Sequence, residues 1–216
     1  MSFPTRPIAS SVPAAPKSVS SVATPVEPLS SSARGVRTAV FVVLAAGGLG
    51  LDLATKHLIF AWRGWERFHQ PYWLINEHLG VQTSVNPGAL FGMGAGYTWG
   101  FVLLSVVALV AIGYFVFVRP RLLDLWLTIA LGLVTGGILG NLYDRLGFWQ
   151  TPDAPPGIFG VRDWILVQFA GVPFFDPWPN FNIADCCLVV GACLLAIHSL
   201  RGDPKPEAKA PQSTAK

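Results

Sequence analysis

Asp185 occupies a position where a carboxylate is costly to keep. It falls in Trp178-Pro-Asn-Phe-Asn-Ile-Ala-Asp-Cys-Cys-Leu-Val-Val-Gly191, just inside an apolar run. A carboxylate at the centre of a membrane helix costs about 2.5–3.5 kcal/mol on insertion scales, which makes such a residue a functional-site candidate by default. Two further acids, Asp144 and Asp163, lie upstream where other apolar segments end or begin. Two Asp side chains within reach of one water repel each other and are desolvated together, so they share a single proton. The ionised member can take a proton from the water while the neutral member donates to a carbonyl oxygen. That chemistry is amide hydrolysis, with neither metal nor covalent intermediate. Spacing alone does not choose the pair. Asp185 is its firmest member. Asp144 has Arg145 beside it and Asn141 one helical turn earlier, and it could orient the others. Asp163 lies in Val161-Arg-Asp-Trp-Ile-Leu166, an apolar setting that suits a raised pKa. Asn182, three residues before Asp185, can cap the helix or hydrogen-bond a substrate carbonyl.

Other chemistries find less support. His-Glu-x-x-His, Gly-x-Ser-x-Gly and Gly-rich phosphate loops are missing, and the four histidines are scattered. All three cysteines (Cys186, Cys187, Cys193) fall in the last apolar run, which fits neither a disulfide framework nor a zinc site. Neither a metal nor another cofactor is expected. Asp52 and Lys56 are four apart, on one helix face, where they can pair with each other or contact a polar cavity. A Ser84–Lys56 hydrolase is a second enzyme class, disfavoured because Asp52 already offers Lys56 a partner. A proton-coupled carrier is a third, but the acids gather at one side instead of stringing across, and the four runs show no inverted repeat.

The elements that must position these residues are membrane helices. Of the 216 residues, 52% are hydrophobic and 12% charged, and mean hydropathy is +0.49. A soluble domain carries about 25% charge. Runs of spanning length are expected at about Thr38–Trp62, Tyr97–Val118, Leu122–Tyr143 and Asn182–Leu200. Tyr72–Ile75 and the alternating Leu79–Val85 suggest a strand pair on the membrane surface, turning at Asn76-Glu-His78, with Trp62, Trp65 and Trp73 at headgroup level. Asn86-Pro-Gly-Ala-Leu-Phe-Gly92 is a turn that would aim the Asn86 amide. Thr151–Gly157 is loop, and Gly160–Phe169 is a strand or a surface-lying helix. Gly136 and Gly140 are spaced for close helix approach. The fold class is thus an all-α polytopic membrane protein, four transmembrane helices with a small extracytoplasmic β-sheet and a surface loop. Residues 1–33 and 202–216 are expected to be disordered tails around a membrane domain at 34–201.

Arg34 and Arg37, Arg119 and Arg121, and Arg201 and Lys205 flank alternate run ends. This basic pattern speaks for topology and against nucleic-acid binding. It puts both termini in the cytoplasm, with segments 63–96 and 146–181 outside. The polar residues Asp52, Lys56, Asn86, Asn141, Asp144, Arg145, Asp163, Asn182 and Asp185 then converge toward the outer side.

In order along the chain, Asp52-Leu-Ala-Thr-Lys56, Asn86-Pro-Gly-Ala-Leu-Phe-Gly92, Gly140-Asn-Leu-Tyr-Asp-Arg145, Val161-Arg-Asp163 and Phe181-Asn-Ile-Ala-Asp185 resemble the lipoprotein signal peptidases (signal peptidase II) of bacterial inner membranes. Each motif alone is weak; five in register over most of residues 38–200 are specific. The resemblance implies a four-helix protease that cuts signal peptides from prolipoproteins just before a cysteine already carrying diacylglycerol. It implies Asp163 and Asp185 as the catalytic pair. Asn86, Asn141, Arg145 and Asn182 resemble the polar set that binds the substrate backbone and orients the aspartates, and Asp144, Asp52 and Lys56 resemble supporting residues. Prolipoprotein and membrane lipid are the expected partners of a monomer, with the lipid chains lying between helices.

Overall fold

In the computed structural model, residues 30–88, 94, 96–119, 124–169, 171–172 and 178–201 are described. Most of the two expected tails, and residues 89–92 of the Asn86–Gly92 motif, lie outside them.

Helix α1 runs Ser31–Arg63, with the Ser30 hydroxyl accepting from the Ala33 N–H at 3.2 Å. The boundary expected at residue 33 therefore moves. Helix needs a cap and internal hydrogen bonds, not an apolar surface, so it continues through Arg34 and Arg37 beyond the hydrophobic run. Its 33 residues reach about 50 Å at 1.5 Å per residue, well past a hydrocarbon core of about 30 Å. Phe41, Ala45, Asp52, Lys56 and Arg63 form its buried stripe. Their steps of four and seven keep one face toward the bundle.

Helix α2, Thr98–Gly113, continues as a π turn over Tyr114–Val118. It buries little beyond Ile112 and Val116, which pack with Phe41 and with Leu127, Leu131, Val134 and Ile138. Leu103, Leu104 and Val110 are exposed, as suits a helix solvated by lipid. Helix α3, Leu125–Arg145, starts later than the leucine run because the Asp124 carboxylate caps it, accepting from the Leu127 N–H at 2.7 Å. It ends two residues beyond Tyr143, which puts Asp144 and Arg145 in its last turn. It is the most buried of the four. A Cβ on Gly136 would lie 2.9 Å from the Ala45 carbonyl oxygen, and one on Gly140 would strike the Asp52 carboxylate and lie 3.2 Å from the Ala184 Cβ. These two positions let α1 and α4 close on α3. Helix α4 is Ile183–Leu200.

All four spans are long and apolar enough to cross a membrane. Chain direction alternates, so one end of the bundle collects Arg63, Thr98, Arg145 and Ile183. The three-stranded antiparallel sheet joins that end: β1 (Tyr72–Ile75), β2 (Leu79–Asn86) and β3 (Val161–Val167), in that order. The segment open to two readings is thus a strand. The β2 edge supplies hydrogen bonds that a surface helix would not need, and Ser84 faces Asp163 across the pairing. At the far end Asp124 meets His198 at 3.0 Å, and the Arg201 guanidinium lies over Trp126 at 4.2 Å.

Candidate active site

The start of α4 organises the polar interior. Asn182 is its N-cap: its side-chain oxygen accepts from the Asp185 N–H at 3.0 Å, and the Asp185 carboxylate accepts from the Asn182 N–H at 3.1 Å. This reciprocal box fixes the Asp185 side chain by satisfying orphan donors of the helix. The second Asp185 oxygen accepts from Asn141 Nδ2 at 2.8 Å.

Asp163 arrives from β3. The Phe181 carbonyl accepts from the Trp164 and Ile165 N–H groups at 3.0 and 2.8 Å, so the approach to α4 is stitched to the strand. Asn180 ties the same approach to β2 through the Gln82 carbonyl at 2.9 Å and Ser84 Oγ at 3.1 Å. The Asn182 amide then donates to Asp163 Oδ1 at 2.7 Å. One residue thus touches both carboxylates. Asp163 is 3% exposed. Burial, and then the Asp185 charge, push its pKa up to about 8, against the lowering effects of the Asn182 hydrogen bond and Lys56.

Beneath the pair lies a chain of alternating charges. Lys56 Nζ contacts Asp52 at 2.7 Å, Asp144 at 3.1 Å and Asn141 Oδ1 at 3.1 Å. Asp144 accepts from the Arg162 guanidinium through Nε at 3.2 Å and Nη2 at 2.8 Å, and from the Arg162 backbone N–H at 2.8 Å. Asp52 accepts from the Ala184 N–H at 2.9 Å, adding an anion to the α4 N-terminus. Asn141 joins the two layers: its oxygen accepts from Lys56 and, at 3.2 Å, from Asn182, while its nitrogen donates to Asp185.

Seven of the nine anticipated site residues therefore meet in one continuous network. The other two, Asn86 and Arg145, meet at the turn that follows β2. The Asn86 side-chain oxygen accepts from the Gly88 N–H at 3.0 Å. Arg145 Nη2 donates to the Gly88 carbonyl at 3.2 Å, with its guanidinium 5.2 Å from the Phe101 ring. Asp163, Asp185 and Asp144 lie within electrostatic reach of Arg145. The Ser84–Lys56 alternative loses its base. The three N–H bonds of Lys56 point at Asp52, Asp144 and Asn141, and the Ser84 hydroxyl contacts Asn180.

The signal peptidase II family model matches residues 44–201, which include all nine positions. The chain belongs to the signal peptidase II family. It is 47% identical over 175 residues to a lipoprotein signal peptidase of Rhodopirellula baltica, covering 81% of this chain and 77% of that one. A lipoprotein signal peptidase of Rhodococcus jostii is 37% identical over 77% of this chain and 75% of its own length. Two solved structures described as bacterial membrane enzymes, determined by the in meso method, share the fold. The first, at 2.3 Å resolution, has a TM-score of 0.61 and 25% identity over 82% of this chain and 94% of its own. The second, at 1.9 Å, has 0.56 and 26% over 79% and 95%. As a signal peptidase II, the chain is a multi-pass membrane protease.

Two residues of this signal peptidase's network went unforeseen. Arg162 is 2% exposed, held by Asp144 and flanked by the Trp149 ring at 5.3 Å. Strand alternation was the available signal: a residue beside Asp163 must face the other way. Asn180 had no signal, because its partners on β2 lie almost a hundred residues away.

Proposed function

We propose that the chain removes signal peptides from diacylglyceryl-modified prolipoproteins, cutting just before the lipidated cysteine, and that Asp163 and Asp185 activate the water. The observation that carries this is the Asn182 bridge, whose amide meets Asp163 while its backbone meets Asp185. The pair holds one proton, and the deeper burial of Asp163 favours that residue as its carrier. Asp185 takes a proton from the water as the water oxygen bonds to the scissile carbonyl carbon. Asp163 gives its proton to the carbonyl oxygen, forming a gem-diol. Collapse returns a diol proton to Asp163, Asp185 protonates the leaving amide nitrogen, and the C–N bond breaks. Neither a metal nor another cofactor takes part. Asn141 and Asn182 orient the carboxylates, Asn86 and Arg145 flank the substrate backbone through the Pro87–Gly88 turn, and Asp52, Lys56 and Asp144 support the floor.

The setting follows from the same reading. Arg34, Arg37, Arg119 and Arg201 lie at the bundle end opposite the aspartates. The positive-inside rule then puts that end and both termini in the cytoplasm, and the site at the outer face of a bacterial inner membrane. A diacylated cysteine sits at that lipid–water boundary, and its acyl chains lie between helices of a monomeric enzyme. The test is processing of a lipidated precursor by Asp163→Asn and Asp185→Asn variants that still insert. Each is expected to leave the precursor uncut, and normal cleavage by both would end the proposal. An unlipidated precursor cut equally well would remove lipid recognition from it.

A further inference from the structure

A cavity of about 620 Å³ opens at the end of α1, on the Arg162 side of β3. Asp163, Asp185, Asn141 and Asn182 do not line it. Its size is within the range of small-ligand sites, about 300–1,000 Å³. Trp62, Trp65 and Trp149 contribute walls, and indoles favour the membrane–water boundary.

Two buried guanidinium groups face this space. Arg162 is neutralised by Asp144. Arg63 is 6% exposed and has no carboxylate within ion-pair distance among the described residues. Its Nη2 donates to the Gln70 carbonyl at 2.7 Å, the Trp62 and Tyr72 rings flank it at 5.6 and 5.8 Å, and its Nε–H has no hydrogen-bond partner. A buried cation without a counter-charge is costly, and so is an unused buried donor. An anion entering the cavity would supply the missing counter-charge. A guanidinium edge matches phosphate oxygens, and phosphate is the anion a membrane surface supplies. The exposed rim carries Glu66 and Asp153 beside Arg67. Those acids would repel a dianion more than a monoanion, which favours a phosphodiester.

We propose that this cavity binds a phosphate group, with a phospholipid headgroup as the fitting source and Arg63 as its principal ligand. The site is separate from the aspartate chemistry and does not depend on it. The full chain in phosphate-free dodecyl maltoside is titrated with dihexanoylphosphatidylglycerol, with sodium phosphate, and with dihexanoylglycerol as a phosphate-free control. Tryptophan fluorescence and, for the phosphorus compounds, ³¹P line width report binding. The phosphatidylglycerol is expected to saturate the wild type, to bind about tenfold or more weakly to Arg63→Gln, and to bind more tightly to Glu66→Gln. Saturation by sodium phosphate alone, with the same Arg63 dependence, keeps the site and makes free phosphate its source. Precursor cleavage by Arg63→Gln in the same detergent reports that the variant is folded. Should it not fold, the exposed variants Glu66→Gln (tighter) and Arg67→Gln (weaker) carry the test. Equal binding of the phosphate-free control, or affinity unmoved by every folded variant, overturns the proposal.

Discussion

Two layers of charge lie one above the other in this signal peptidase, and they are built on opposite rules. In the lower layer, Asp52, Lys56, Asp144 and Arg162 alternate in sign, and every contact joins opposite charges. In the upper layer, Asp163 and Asp185 are two acids held together by neutral amides from Asn182 and Asn141. The lower arrangement satisfies itself and leaves nothing reactive. The upper one is frustrated, because burial and like charge keep a proton on a group that would lose it in water. On the proposed mechanism, stability belongs to the first layer and reactivity to the second. Asn141 and Asn182 are the joints that let one support the other.

The sharpest way to break this contrast is to neutralise one upper acid. Asp163→Asn or Asp185→Asn should lower the cleavage rate by about 10²–10⁴-fold or more, the usual worth of a positioned acid or base. Compared at acid pH, where Asp163 is protonated in the wild type as well, the unfolding midpoint in mixed micelles should stay near that of the wild type. A rate within a few-fold of wild type would dissolve the distinction.

Removing one lower charge should do the reverse in first effect. Lys56→Met strands Asp52 and leaves Asp144 with Arg162 alone, at a cost of about 3–5 kcal/mol for an uncompensated buried charge. Asp52→Leu with Lys56→Met should recover part of that loss, as isosteric apolar replacement of a buried pair often does. Micelle unfolding of both variants gives the comparison. A single variant no less stable than the double would show that the layer is not a charge clamp.

Acidity separates the layers next. Folded Asp163 holds its proton up to about pH 8, whereas in the unfolded chain it ionises near the ordinary carboxylate value of 3.8. The folded state therefore binds the extra proton between those limits, and stability falls as pH rises through that window. Unfolding at pH 5 and pH 8.5 should show this fall in the wild type and a flatter profile in Asp163→Asn. Cleavage should also decline above about pH 8, as the shared proton is lost. The smallest expected effect is at a joint. Asn182→Ala removes a helix cap worth about 0.5–2 kcal/mol and unlinks the two acids, so kcat should fall while KM changes less. An unchanged kcat would deny Asn182 its orienting role.

The four spans were readable because lipid leaves long apolar runs as the only affordable spanning helices. Helix ends were less readable. Ser30 and Asp124 set them through local hydrogen bonds, so α1 starts before its apolar run and α3 starts at Leu125. The strand pair at residues 72–86 announced itself by period-two alternation. Gly160–Phe169 did not, because a short apolar segment suits a strand or a surface helix until a partner edge is known. The site residues were recognisable one by one as polar groups out of place in apolar context, and five motifs in order named their family.

Their pairing was another matter. Asp185 beside Asn182 is encoded locally, by a spacing of three at a helix start. Asp163 meets them only because β3 pairs with β2 and Phe181 hydrogen-bonds to Ile165. Arg162 becomes the partner of Asp144 only because the same strand turns its alternate side chain to the other face. The sequence determined which residues had to leave lipid and which helices would carry them. Tertiary structure alone decided which charges became neighbours, because electrostatic coupling depends on distances of a few ångströms between segments that the chain holds far apart.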